Sequence, residues 1–148
     1  PDILVARFPI PDELINIDEL VVDETSASRT PLRLANQPFP IVHAVVSCKW
    51  TLRSDRAQNA RSEALGIIRN RKGRAPHIAV VTGEPSPSRL ASLALGTGDI
   101  DTVYHFALPE LIDAALELGN DETLSMLTIL TDGHRLRDIA DLPLDLVV

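Results

Sequence analysis

The chain predicts an α/β fold with a mixed central sheet flanked by helices. From residue 41 onward, short Val- and Ile-rich runs alternate with helical patterns, the order that builds a sheet with parallel members. Of its 148 residues 45% are hydrophobic and 24% charged, ordinary for a globular α/β protein. No internal repeat or low-complexity tract interrupts the alternation. A chain of this length reads as a single domain, 1–148, able to bury a real core.

Ile3 to Phe8 is a short apolar strand pattern. Pro9 to Pro40 follows, with five prolines and little periodicity. Loops that long are functional, partner-binding or disordered. The Leu20 to Val22 run favours packing against a partner. Ile41 to Leu52 is a longer strand pattern, rich in Val and closed by Lys49-Trp50-Thr51. Ala57 to Asn70 is helical, with Ala60, Ala64, Leu65, Ile67 and Ile68 on one side. Ser54 or Asp55 is its expected N-cap. Arg71 to Arg74 ends it, and His77 to Thr82 is a buried strand. Ser86-Pro87 starts a helix through about Leu95, since proline suits a first turn. Asp101 to Phe106 is the next strand. Pro109 opens a helix that stops at Gly119. Two further helical patterns run through Leu130 and around Arg135 to Asp141.

Several classes fall away. No apolar run approaches the ~20 residues that span a bilayer, and there is no secretory signal pattern. The single cysteine, Cys48, excludes an internal disulfide and a multi-cysteine zinc site and fits a reducing cytosol. The chain starts at Pro1 without an initiator methionine and reads as a fragment or a mature chain. The net charge is −7, unpromising for a nucleic-acid binder, but its distribution is uneven. Between Lys49 and Arg74 lie eight of the fourteen basic residues and only two acids, Asp55 and Glu63. A basic stripe on an acidic body is either a phosphate-binding footprint or a solvated helix face.

Within that stripe the strand places Val45, Ser47 and Lys49 on one face, and Val46, Cys48 and Trp50 on the other. Lys49 to Arg53 advances ~13 Å along a strand at ~3.3 Å per residue. Asp55 to Glu63 advances ~12 Å along a helix at ~1.5 Å per residue. A helix that doubles back therefore returns Glu63 to the level of Lys49 and leaves Arg53, Asp55 and Arg56 at the tip. Phosphodiester hydrolysis needs a hard cation held by carboxylates, an activated water and positive charge on the phosphorane. Asp2 and Glu63 suit the first role, and Lys49 suits the others. The backbone carbonyl of Cys48 is a further candidate metal ligand. At the tip, Arg53 and Arg56 suit guanine O6 and N7, and Asp55 suits the cytosine amino group, a preference for G·C pairs. An exposed ion-pair network would give the same string. The four histidines, His43, His77, His105 and His134, have no ligand spacing and read as structural. Gly96-Thr97-Gly98 is too short for a phosphate loop. Cys48 reads as a core residue rather than a nucleophile.

Pro1-Asp2, Ser47-Cys48-Lys49 and Glu63 together resemble the PD-(D/E)XK nuclease pattern, in the subgroup of type II restriction endonucleases typified by NgoMIV. In that subgroup serine, here Ser47, replaces the usual acid two residues before the lysine, and a helix glutamate, here Glu63, compensates. The resemblance is carried by Val45 to Arg74 and runs on through His77 to Thr82 and Thr102 to Leu108. It implies a restriction-endonuclease-like core in a bacterial, cytoplasmic enzyme that cuts double-stranded DNA at a CCGG-centred palindrome, GCCGGC for a close relative, leaving 5′ overhangs. It implies Asp2, Ser47, Lys49 and Glu63 as the catalytic set. Two Mg2+ ions would be held through Asp2 and the Cys48 carbonyl, with bases read by Arg53, Asp55 and Arg56. It further implies a dimer of dimers, with residues 9–40 an inserted oligomerisation loop, and another active-site glutamate N-terminal of Pro1. The alternatives are a DNA-binding or oligomerisation module that does not cut without its N-terminal half, and a generic α/β domain with a basic helix.

Overall fold

In a computed structural model the chain is described over residues 1–96 and 98–147, with the side chain of Ser54 also left aside. Thr97, and so the centre of the Gly96-Thr97-Gly98 step, lies outside the described residues, as does any capping by Ser54. Two compact units are resolved: Pro1–Leu4 with Ala44–Val148, and Val5–His43.

The chain carries a mixed five-stranded sheet in the order β1-β2-β3-β4-β5. The strands are β1 (Ile3–Arg7), β2 (Ile41–Lys49), β3 (His77–Thr82), β4 (Thr102–His105) and β5 (Leu136–Asp138). Strands β2 to β5 run parallel, with Lys49 opposite Thr82, Thr82 opposite His105 and His105 opposite Asp138. Parallel strands are covered on both faces, which is why β3 reads as an unbroken apolar run. The helices are α2 (Ser54–Asn70), α3 (Pro87–Ala94), α4 (Leu108–Leu118), α5 (Asp121–Asp132) and α6 (Leu142–Asp145), after α1 (Asp12–Ile15) of the smaller unit.

One sheet face, through Val45, Ile78, Val80 and Val103, packs against α2 to α5 by way of Ala60, Ala64, Leu90, Leu93, Ala115, Leu127 and Leu130. Right-handed crossovers between strands laid down in sequence order put their helices on a common face. The opposite face carries Val46, Ala79 and Tyr104, joined by Val81, Ile139 and Leu142. There the Tyr104 hydroxyl donates to Asp145 at 2.7 Å, and Asp145 also accepts from Arg137. These bonds tie α6 to the sheet. Burial first, then the Asp145 carboxylate, pushes the Tyr104 phenol well above its ordinary value.

Helix ends follow local chemistry. Gly119 ends α4 at φ +62°, a left-handed conformation that glycine adopts without a Cβ penalty. The Asn120 side chain then accepts from the Thr123 N–H to start α5. Helix α2 starts earlier than its apolar spacing predicts. Its N-cap is Arg53, in an extended conformation with no side-chain cap, so Asp55 stands in the first turn instead. The expected helix around Arg135 to Asp141 is a correction: it is strand β5 followed by a 3-10 turn, Ile139–Asp141. Leu136 is buried against the core, and the Asp138 carboxylate accepts from Leu108 N–H and Ala140 N–H. Pairing with β4 therefore overrides the helix-like spacing.

The smaller unit, Val5–His43, is organised by polar side chains more than by apolar ones. Arg33 is only 5% exposed. It donates to the Asp12 carboxylate at the start of α1 and to the carbonyls of Asp23 and Ser26. The bond to Asp12 raises the Arg33 pKa. The Asp23 carboxylate takes hydroxyl and N–H groups of Ser26 and Thr25, the Ser26 hydroxyl first, and is held far below the usual carboxylate range. A bridge joins Ile10 to Arg33. Phe8, Ile17, Leu20 and Phe39 stay exposed.

Candidate active site

Backbone geometry alone brings the first acid to the lysine. The Asp2 N–H donates to the Val46 carbonyl at 3.0 Å, laying the Pro1-Asp2 step beside the end of β2. The Asp2 carboxylate then accepts from the Cys48 N–H at 2.6 Å, and Lys49 Nζ lies 3.4 Å from the same oxygen. These contacts, the Cys48 N–H foremost, lower the Asp2 pKa.

The second acid arrives from the helix. Ser47 and Lys49 share a face of β2, and α2 returns along that face. The Ser47 hydroxyl donates to Glu63 Oε2 at 2.6 Å, and Lys49 Nζ is 3.8 Å from Glu63 Oε1. The Ser47 hydroxyl first, then Lys49, holds Glu63 below the usual carboxylate range. Lys49 is 16% exposed and stands between the Asp2 and Glu63 carboxylates. The structure thus brings Asp2, Ser47, Lys49 and Glu63 together. A surface pairing of Glu63 with Arg61 or Arg69 is not what forms.

Arg53, Asp55 and Arg56 are exposed at the start of α2, where Arg56 donates to the Thr51 hydroxyl at 3.1 Å. Trp50 follows the strand and packs its ring on Gly83 and, at 6.2 Å between centroids, on Phe106. Cys48 is a second correction. It is exposed rather than part of the core, because its face of the sheet carries less cover than the other. Partial desolvation of the sulfur, then the Asp2 carboxylate, raises its thiol pKa, which disfavours a nucleophilic role.

Among the described residues, no group of three or more His, Cys, Asp and Glu side chains converges as a metal site. Two carboxylates nevertheless suit Mg2+, which takes one or two carboxylates and fills its shell with water and substrate phosphate. They fit zinc less well, whose sites are built mainly on His nitrogen and Cys sulfur. The buried His105 is structural: its Nδ1 accepts from Ala107 N–H, which leaves Nε2 to donate to the Glu84 carbonyl at 3.1 Å.

Glu84 was not signalled by the sequence. Its side chain has no exposed surface, yet its carboxylate takes the Leu52 N–H at 2.7 Å and the Ser86 N–H at 3.1 Å, with Arg89 at 3.4 Å. It braces the turn that launches Arg53 and α2. An acid directly after a buried strand, in the step Gly83-Glu84-Pro85, is the one trace of this in the sequence.

Among the described residues no helix is long and apolar enough to cross a membrane. The model of a family described as NgoMIV restriction enzyme matches residues 1–148. The type II restriction enzyme NgoMIV of Neisseria gonorrhoeae is 57% identical over 148 residues, which are 100% of this chain and 52% of that relative. The chain therefore spans about half the length of the curated relative it matches, corresponding to its C-terminal part.

Proposed function

The chain belongs to the NgoMIV restriction enzyme family, and on that premise we propose that it is the catalytic C-terminal portion of a type II restriction endonuclease acting on double-stranded DNA. The observation that carries the reading is Lys49 Nζ set between Asp2 and Glu63 at 3.4 and 3.8 Å. In this reading Asp2 and Glu63, with the Cys48 carbonyl, hold two Mg2+ ions. Bound Mg2+ supplies Lewis-acid polarisation of the scissile phosphate. Lys49 orients the attacking water and offsets charge on the phosphorane. Ser47 fixes the Glu63 carboxylate, so an acid carried by a helix serves where a strand acid would. Arg53, Asp55 and Arg56 read the G·C pairs of a CCGG-centred palindrome, GCCGGC in the sharpest form of the proposal, and cutting leaves 5′ overhangs. The enzyme works in the bacterial cytoplasm. Residues 9–40 serve the contacts of a dimer of dimers, supported by the exposed Phe39, Ile17 and Leu20 of the smaller unit.

A second reading has its own observation. Only two acids meet at Lys49 among the described residues, which favours a module that binds DNA but does not cut without a further acid. Plasmid cleavage with Mg2+, with Lys49→Ala alongside, separates the two. Discrete cuts at a CCGG-containing site that vanish in Lys49→Ala while binding persists support the nuclease. Binding to the same site with no cutting by either protein supports the module.

A further inference from the structure

Beside the start of α2 lies a cleft of about 590 Å³ that the catalytic set does not use. Its lining includes Arg53, Gln58, Arg61, Arg89 and Ser92, so three of its walls are guanidinium groups. Arg61 donates from α2 to the Ser92 carbonyl of α3. That acceptor is neutral, so the charge stays available. Gly96 makes room for it: a Cβ there would stand 2.9 Å from Arg61 Nη2. Arg89 leans 3.4 Å from the buried Glu84 carboxylate but keeps its side chain 52% exposed. Glu84 also holds the N–H of Leu52, the residue before Arg53, and the N–H of Ser86, just before α3. A single buried carboxylate thus fixes both walls.

We propose that this cleft seats a backbone phosphate of bound duplex DNA beside the bases met by Arg53, Asp55 and Arg56, with Arg61 and Arg89 as phosphate-positioning residues. The proposal rests on the nuclease reading and deepens it. A guanidinium fork matches the phosphate oxygens bidentately, and Gln58 and Ser92 add neutral donors. Three guanidinium groups make the lining too cationic for a metal. Arg53 belongs to both the cleft and the tip, so a phosphate held here sets the register at which α2 meets the groove. Phosphate contacts position a protein on DNA, whereas base contacts select sequence.

The test is duplex binding followed by fluorescence anisotropy in Ca2+, across a series of KCl concentrations, for the wild-type chain and for Arg61→Gln, Arg89→Gln and Arg61→Lys. One duplex carries the CCGG palindrome and one is scrambled. Each Gln variant should flatten the slope of log K against log salt by about 0.9, the value for one phosphate contact. The loss should be equal on both duplexes, and Arg61→Lys should restore most of the slope. Arg61→Lys guards against misfolding, since it keeps the charge and a donor for the Ser92 carbonyl. Unchanged slopes in both Gln variants, with Arg56→Ala still erasing preference for the palindrome, would overturn the cleft and leave the nuclease reading standing. A loss confined to the palindrome would make these arginines base readers and also overturn it. Inorganic phosphate that raises the melting temperature of wild type but not of Arg61→Gln, with the slopes unchanged, would make the cleft a free-anion site instead. No binding of either duplex by wild type would sink both readings.

Discussion

Glu84→Gln tests whether a buried carboxylate holds the tip of α2 in place. Glutamine conserves shape but offers one carbonyl oxygen and an amide that only donates. It can accept from Leu52 N–H or from Ser86 N–H, now taken at 2.7 and 3.1 Å, but not from both. One donor is orphaned, at a cost of about 1–3 kcal/mol for a buried group. Leu52 is 3% exposed, which places its N–H toward the upper end of that range. Arg89 adds little, because its half-exposed guanidinium is solvated. The expected loss is about 2 kcal/mol. With a urea m-value of about 2 kcal/mol/M, the midpoint falls by about 1 M. Trp50, the single tryptophan, packs on Gly83 next to the brace and reports unfolding by its fluorescence. Arg89→Gln should move the midpoint much less. A Glu84→Gln midpoint within about 0.2 M of wild type, against the about 1 M expected, would refute the reasoning.

Ser47→Ala should move the Glu63 titration upward, since the Ser47 hydroxyl is the largest influence holding it below 4.5. A depressed carboxyl contributes stability that is complete above its ordinary value and lost as pH falls through the folded one. The acid limb of stability should therefore shift to higher pH, and an unmoved Glu63 signal in an NMR titration would contradict this. The single tyrosine, Tyr104, should give no phenolate absorbance at about pH 11, where an exposed tyrosine is mostly ionised. Its raised value contributes stability below the ordinary 10.0 that drains at higher pH, so absorbance should appear only with alkaline unfolding. Gly83→Ala puts a Cβ 3.3 Å from the Trp50 ring, so Trp50 must shift. Its emission should change, and an unchanged spectrum would count against the close packing.

Much of the fold was legible because buried parallel strands advertise themselves. His77 to Thr82 has no polar interruption between its ends, and the observed strand has those bounds. The meeting of Lys49 with Glu63 was legible too, since strand and helix rises fix how far a returning helix must travel. Strand β5 was not. Its three residues are too few to display a period of two, and Leu136, Ile139 and Ala140 mimic helical spacing. The Val5–His43 unit was hidden for a related reason. Its order comes from Arg33, Asp12 and Asp23, and polar knots leave no hydrophobic rhythm. Cys48 was misplaced because alternation assigns a side chain to a face but does not say what covers that face. Glu84 was missed because its role depends on two backbone N–H groups, from residues 52 and 86, that no local pattern brings together.

The strand order carries a kinetic consequence. From β2 to β5, each strand docks on the one made just before it, so no pairing must wait for a distant partner. Loop-closure entropy grows only slowly with length, and each helical crossover delivers its strand to an existing edge. The sheet can therefore grow by accretion in the direction of synthesis. The exception is β1, whose pairing with β2 must await the whole intervening segment. Asp2, anchored to Val46 and Cys48 at that seam, is then joined to Lys49 only after the segment between them has been made. The lysine and glutamate would meet early in the life of the nascent chain, while their order relative to Asp2 pairing is set by how soon β1 finds its edge.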